Sequence, residues 1–152
     1  MKLAEALILR ADCQKRFAQL KSRLLANAKI QEGDQAAEDP KELATELERV
    51  ADELAGLIKR INKTNSASVF AGNRTISDAL AERDVLGLRR AAYSEVALNA
   101  ALRQDRYTRS EVKFVSTINV AEIQRRADEL AKEYRELDAR IQELNWQTEL
   151  SE

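Results

Sequence analysis

Three groups of side chains in this sequence have the composition of a chemical site. Glu129, Glu133 and Glu136 follow one another at helical spacing. Carboxylates in such a row bind divalent metal when they face the inside of a helical bundle, as in di-iron proteins and helical nucleotide pyrophosphatases. Arg103, Arg106, Arg109 and Lys113 surround Tyr107, a grouping that can grip phosphates and stack a base. Lys63, Asn65, Ser66 and Ser68 precede Gly72 in a polar stretch, where side chains and free backbone N–H groups would hold an anion.

Each group meets an obstacle. The chain has no histidine, which removes the commonest general base, the commonest metal ligand and the Glu-x-x-His pattern of di-iron bundles. The three glutamates flank an apolar seam instead of lying on it, so they read as solvated charges with arginine partners. Asp105 and Glu111 interrupt the arginine cluster, and the net charge of −1 gives no global pull toward nucleic acid or an anionic membrane. The polar stretch lacks the Gly-Lys-Ser/Thr core of a P-loop. Cys13 is the only cysteine; no intrachain disulfide is possible, and the residue falls on the apolar stripe of a helix as a small buried hydrophobe. No enzymatic reaction and no cofactor are therefore expected.

What the sequence specifies strongly is helix. In the stretch from Asn119 to about Trp146, the residues Ile123, Ala127, Leu130, Tyr134, Leu137, Ile141 and Leu144 recur in alternating steps of four and three, an unbroken heptad seam. Asn119 caps it, Glu122 completes a capping box, and Ile118 with Ile123 forms a hydrophobic staple. A second seam, Leu43, Leu47, Val50, Leu54, Leu57 and Ile61, follows the start signal Asp39-Pro40-Lys41-Glu42. Ala44, Ala51 and Ile58 broaden it to a stripe that suits a multi-helix core. An earlier helix runs from about Leu3 to Ala26, its stripe interrupted by Arg10. Met1 to Arg10 is too short and too charged for a leader peptide and reads as the start of that helix.

Thr75-Ile76-Ser77-Asp78 opens a third long helix as a capping box. Its pattern is less clean. Arg83 and Arg90 share a line with Ile76 and Ala97, either reaching the rim or meeting carboxylates at a subunit contact, where a buried ion pair would fix register. Between the third and fourth helices, Val112, Phe114 and Ile118 alternate with Lys113 and Thr117, the best strand candidate in the chain. The piece from Ala28 to Glu32 is its expected mate, from the same chain or from another copy. Asn62 to Arg74 reads as a polar link, with Val69 and Phe70 folding back on a bundle end.

Four runs resemble a family of small bacterial proteins often labelled septicolysin or left without a role: Asn27 to Asp34, Arg60 to Asn65, Arg106 to Phe114 and Glu143 to Thr148. The resemblance spans essentially the whole chain and brings no catalytic motif. Its label implies a pore-forming cytolysin. Against this stand the lack of an apolar stretch of roughly 20 residues and the shortness of Val112 to Ile118 beside the roughly 9–11 residues of a membrane strand. The resemblance implies a bacterial, mostly helical protein of unassigned role.

The expected architecture is mainly α: four long helices in an antiparallel, hairpin-like bundle, with a small β element from about 28–32 and 111–118, forming a single domain over 1–152. The expected behaviour is that of a cytoplasmic structural or interaction protein that assembles into a homo-oligomer, without membrane or nucleic-acid partners. Arg83, Arg90, Phe114, Tyr134, Leu137 and Trp146 are the candidate interface residues. The Arg103–Lys113 segment is the candidate for a weak nucleic-acid contact, and a cytolysin-like activity is the other alternative.

Overall fold

The computed structural model describes residues 1–101 and 112–152. They form a mainly α protein: α1 (Leu3–Asn27), α2 (Pro40–Ala67), β1 (Val69–Ala71), β2 (Arg74–Thr75), α3 (Ile76–Ala100) and α4 (Val120–Gln147). The chain divides into two compact units, Met1–Ile76 with Gln142–Glu152, and Ser77–Ile141.

The helix boundaries follow local chemistry. Asp39 accepts a hydrogen bond from the Lys41 N–H at 2.9 Å, and Pro40 occupies the first helical position, where its missing N–H costs nothing. Asn119 accepts from the Glu122 N–H at 3.2 Å through its side chain and from the Ile123 N–H at 3.1 Å through its carbonyl.

In the first unit α1 and α2 form an antiparallel hairpin, so that positions later in α1 meet positions earlier in the α2 region. Arg16 reaches both Glu46 at 3.4 Å and Glu53 at 3.7 Å, and Arg23 pairs with Glu38. Leu3, Ala6, Cys13 and Leu20 of α1 are buried, as are Leu43, Val50, Leu57 and Ile61 of α2. Residues 148–151 then close the unit. The Leu3 N–H donates to the Thr148 carbonyl and the Leu150 N–H to the Met1 carbonyl, both at 2.9 Å. The Ser151 N–H donates to the Thr64 hydroxyl at 2.9 Å.

Two expectations about this unit need correction. The second helix does not stop near Ile61 but runs to Ala67. Thr64 continues the buried line, its hydroxyl donating to the Arg60 carbonyl at 2.8 Å while accepting from Ser151, so a polar residue fills a core position at no hydrogen-bonding cost. The proposed anion cradle thereby loses its loop: Lys63, Asn65 and Ser66 are helical, the Ser68 N–H bonds the Thr64 carbonyl, and Lys63 Nζ donates to the Glu152 carbonyl.

The β element also lies elsewhere than expected. Residues 28–32 lead into a turn closed by the Asp34 N–H on the Gln31 carbonyl at 3.0 Å, with Gly33 at φ 90°. Residues 112–116 carry no strand assignment. The antiparallel pair is β1 with β2. Gly72, at φ 60°, takes the left-handed conformation that a tight reversal needs. Phe70 is buried, with the Arg74 guanidinium 5.1 Å from its ring centroid, whereas Val69 on the opposite face of the pleat is exposed.

In the second unit α3 and α4 (to Ile141) pack antiparallel. Arg83 donates to Asp138 at 2.9 Å, and one turn later a Cβ placed on Gly87 would lie 3.4 Å from Tyr134 Cε2, so this glycine lets the tyrosine ring rest against the α3 backbone. Ala79, Ala97, Ala127, Leu130 and Ile141 are buried.

Gly56, by contrast, faces open space within α2. Since glycine weakens an exposed helix interior through backbone entropy, Gly56→Ala is expected to raise stability by about 0.5–1 kcal/mol, read as a higher denaturation midpoint at unchanged slope. A second expectation concerns acid. The Arg49 hydrogen bond, opposed by partial desolvation and aided by the Arg49 and Arg16 charges, holds the Glu46 carboxyl down at about 2. A depressed carboxyl stabilises the fold above its unfolded value of 4.5 and loses that contribution as pH falls toward 2. Glu46→Gln should therefore flatten the acid limb of helicity against pH in this window, while leaving the neutral limb nearly unchanged. An identical acid limb in both proteins would refute the assignment.

Candidate functional site

A helix in contact with one neighbour needs only one apolar face. α2 and α4 have that character; α3 does not. Its inward line carries buried Ala79 and Ala97 with half-buried Arg83 and Leu86. Ala81, Val85, Leu88, Ala92 and Val96 lie on the opposite side, in steps of four, three, four and four, within roughly 80° of arc at 3.6 residues per turn. All five are exposed; Leu88 is 71% and Val85 52% accessible. This second stripe lies apart from the line of Ile76, Arg83, Arg90 and Ala97 that the sequence offers first. Its spacing was the signal that would have found it.

Two shallow features of this unit border the stripe. Toward the start of α3, Ala81, Val85 and Leu86 form the apolar floor of a groove rimmed by Glu82, Arg89 and the α4 residue Glu133. Toward the end of α3, Val96, Asn99, Ala100 and Ala101 line a depression with Phe114–Ile118. In that segment Phe114 is 88% and Val115 78% exposed, with Val112 exposed as well. The stripe and the segment both leave large apolar side chains in water, and neighbouring exposed apolar residues of this kind mark an interaction surface.

Of the interface candidates, Arg83, Arg90, Phe114, Tyr134 and Leu137 belong to the Ser77–Ile141 unit and Trp146 to the other. Arg83 is occupied within its own chain. Partial burial opposes its charge, but hydrogen bonds to Asp138 and Asp84 outweigh this and raise its pKa further. Tyr134 and Leu137 are half-buried on the α4 seam, whereas Arg90 and Trp146 are exposed. Arg103, Arg106, Tyr107 and Arg109 lie outside the described residues; Lys113 is described and exposed.

The glutamates of the fourth helix are spread along charged pairs. Glu129 and Glu133 both meet Arg126, at 3.1 and 3.6 Å, and Glu136 meets Lys132 at 3.9 Å. Among the described residues, no group of three or more His, Cys, Asp or Glu side chains has the arrangement of a metal site. Burial, then the neighbouring Glu53 carboxylate, raises the Cys13 thiol above its ordinary pKa, which favours the unreactive protonated form. No described helix is long and apolar enough to cross a membrane.

A family described as "Family of unknown function (DUF6847)" matches residues 10–150. No curated protein matches the chain. A solved structure described as a functionally unknown conserved protein from Corynebacterium diphtheriae is similar at 51% sequence identity, over 99% of each chain, with a TM-score of 0.94. Neither description carries the septicolysin label.

Proposed function

Since this chain belongs to the DUF6847 family, whose description assigns no activity, we propose that it is a non-catalytic structural or interaction protein that acts as an assembly of its own copies. The observation that carries the reading is the second apolar stripe of α3. A helix apolar on opposite faces is ordinarily covered on both, and among the described residues the outer stripe is left exposed. A second copy is the occupant we assign. The stripe is straight and built of small and branched side chains, so two α3 helices can approach closely and interdigitate. Its borders carry both signs of charge, with Glu82 and Asp84 in one stretch and Arg89 and Arg90 in the next, which suits a self-complementary two-fold contact.

The assembly requires no cofactor, nucleic acid or membrane. Its place is the cytoplasm, a reading supported by the lone buried thiol of Cys13 in a chain that needs no disulfide. The septicolysin label adds a resemblance in sequence runs, and a pore gains no support from the exposed stripe, which is narrow and bordered closely by Glu82, Asp84, Arg89 and Arg90. Sedimentation velocity at micromolar concentration tests the proposal. A dimer or larger closed oligomer is expected; a monomer across that range overturns it.

A further inference from the structure

Resting on that self-association, we propose that each copy inserts the segment Lys113–Ile118 into the α3–α4 groove of the other, with Phe114 as the anchor. The groove and the segment lie on the same flank of the α3 stripe but at opposite ends of the helix. Val85 lines the groove and Val96 lies beside the segment; at 1.5 Å per residue they stand about 16 Å apart along the axis. A two-fold axis perpendicular to paired antiparallel helices keeps each flank facing the same flank of the partner and exchanges the ends. That operation sets each groove against the other copy's segment, and both sites are filled at once. Parallel helices related by a two-fold axis would put the two grooves level with each other on opposite flanks, so that no groove would meet a segment.

The chemistry of the two halves matches. Phe114 is an almost fully solvated aromatic ring, and aromatic anchors seated in apolar pockets dominate binding at protein interfaces. The groove offers alkyl side chains as a floor and a rim of mixed charge, in which the carboxylates of Glu82 and Glu133 outnumber the guanidinium of Arg89. Lys113, adjacent to the ring in sequence, brings the opposite charge to those carboxylates. Val115 extends the apolar contact toward the stripe. The segment thus supplies at one end of the interface what α3 alone leaves open at the other.

Mixed-chain disulfide trapping tests this. Val85→Cys is made in one chain carrying a size tag and Phe114→Cys in an untagged chain, with the buried Cys13 left in place. The two are mixed and oxidised, and the products are separated without reductant. A disulfide-linked species of intermediate mass, containing one chain of each kind, is the expected result. Phe114→Ala should in parallel weaken self-association at least tenfold without changing helicity. If wild-type protein sediments as a dimer but no mixed species forms, the exchange of segments is overturned and the pairing of α3 faces stands. If the wild-type protein sediments as a monomer, both are overturned.

Discussion

Leu88→Asp is expected to leave the protein helical and monomeric at concentrations where, on the proposed self-association, the wild-type chain assembles. Leu88 stands in the middle of the outer stripe of α3 and is solvated in the single chain, so an aspartate there disturbs no intrachain packing and costs only a few tenths of a kcal/mol in helix propensity. In the assembly the same carboxylate would be buried against apolar side chains of both copies. An uncompensated buried charge costs several kcal/mol, and each 1.4 kcal/mol changes the dissociation constant about tenfold. The expected weakening is therefore at least about 100-fold. Sedimentation velocity reports the assembly and far-UV circular dichroism the fold. Unchanged assembly would place the contact elsewhere than on α3.

Leu130→Ala is expected to have the largest effect on stability. Leu130 is fully buried, in the middle of the α4 seam. Loss of the buried methyl groups plus the residual cavity should cost about 2–5 kcal/mol, a large share of the roughly 5–15 kcal/mol that holds a domain together. Leu137→Ala, at a half-buried position of the same seam, should cost less. Urea denaturation of both variants checks the order. An equal, small effect at the two sites would mean that the seam does not carry the core of its unit.

These two residues also show what the sequence made legible. Leu130 could be read at once because its seam is periodic, uninterrupted and framed by the local cap of Asn119 and Glu122. Asp39 and Pro40 were legible for the same reason: a cap acts over three or four residues. Leu88 was harder. Alanine and leucine occur on both faces of α3, so several apolar lines compete, and the arginines at positions 83 and 90 blur the inward one. Thr64 was misread because a threonine looks like the end of an apolar seam until its hydroxyl is seen to bond Arg60 and Ser151, the latter 87 residues away.

The β element shows a different limit. Val112 to Ile118 has the composition of a strand, but pairing is a property of two segments, and among the described residues the strand pair is Val69–Ala71 with Arg74–Thr75. The short pair at Val69–Thr75 forms because its two arms are joined by Gly72 and Asn73, so that closing the turn costs little. Composition favoured the longer segment; chain connectivity favoured the shorter one. The charged clusters were read more securely, since Glu129, Glu133 and Glu136 flank the seam by spacing alone and meet Arg126 and Lys132 as their positions require.

The closing of the first unit by residues 148–151 has a consequence for how the molecule is made. A hydrogen bond from the amino group of Met1 to Glu149 joins positions 148 apart in the chain, and the intervening sequence includes all of the second unit. The entropy of closing so long a loop grows only with the logarithm of its length, so the cost at equilibrium is modest. The delay in time is not: contacts of high contact order form late. During translation α1 and α2 leave the ribosome first, and they wait without their final hydrogen bonds while α3 and α4 are still being synthesised. The unit begun first is thus the one completed last.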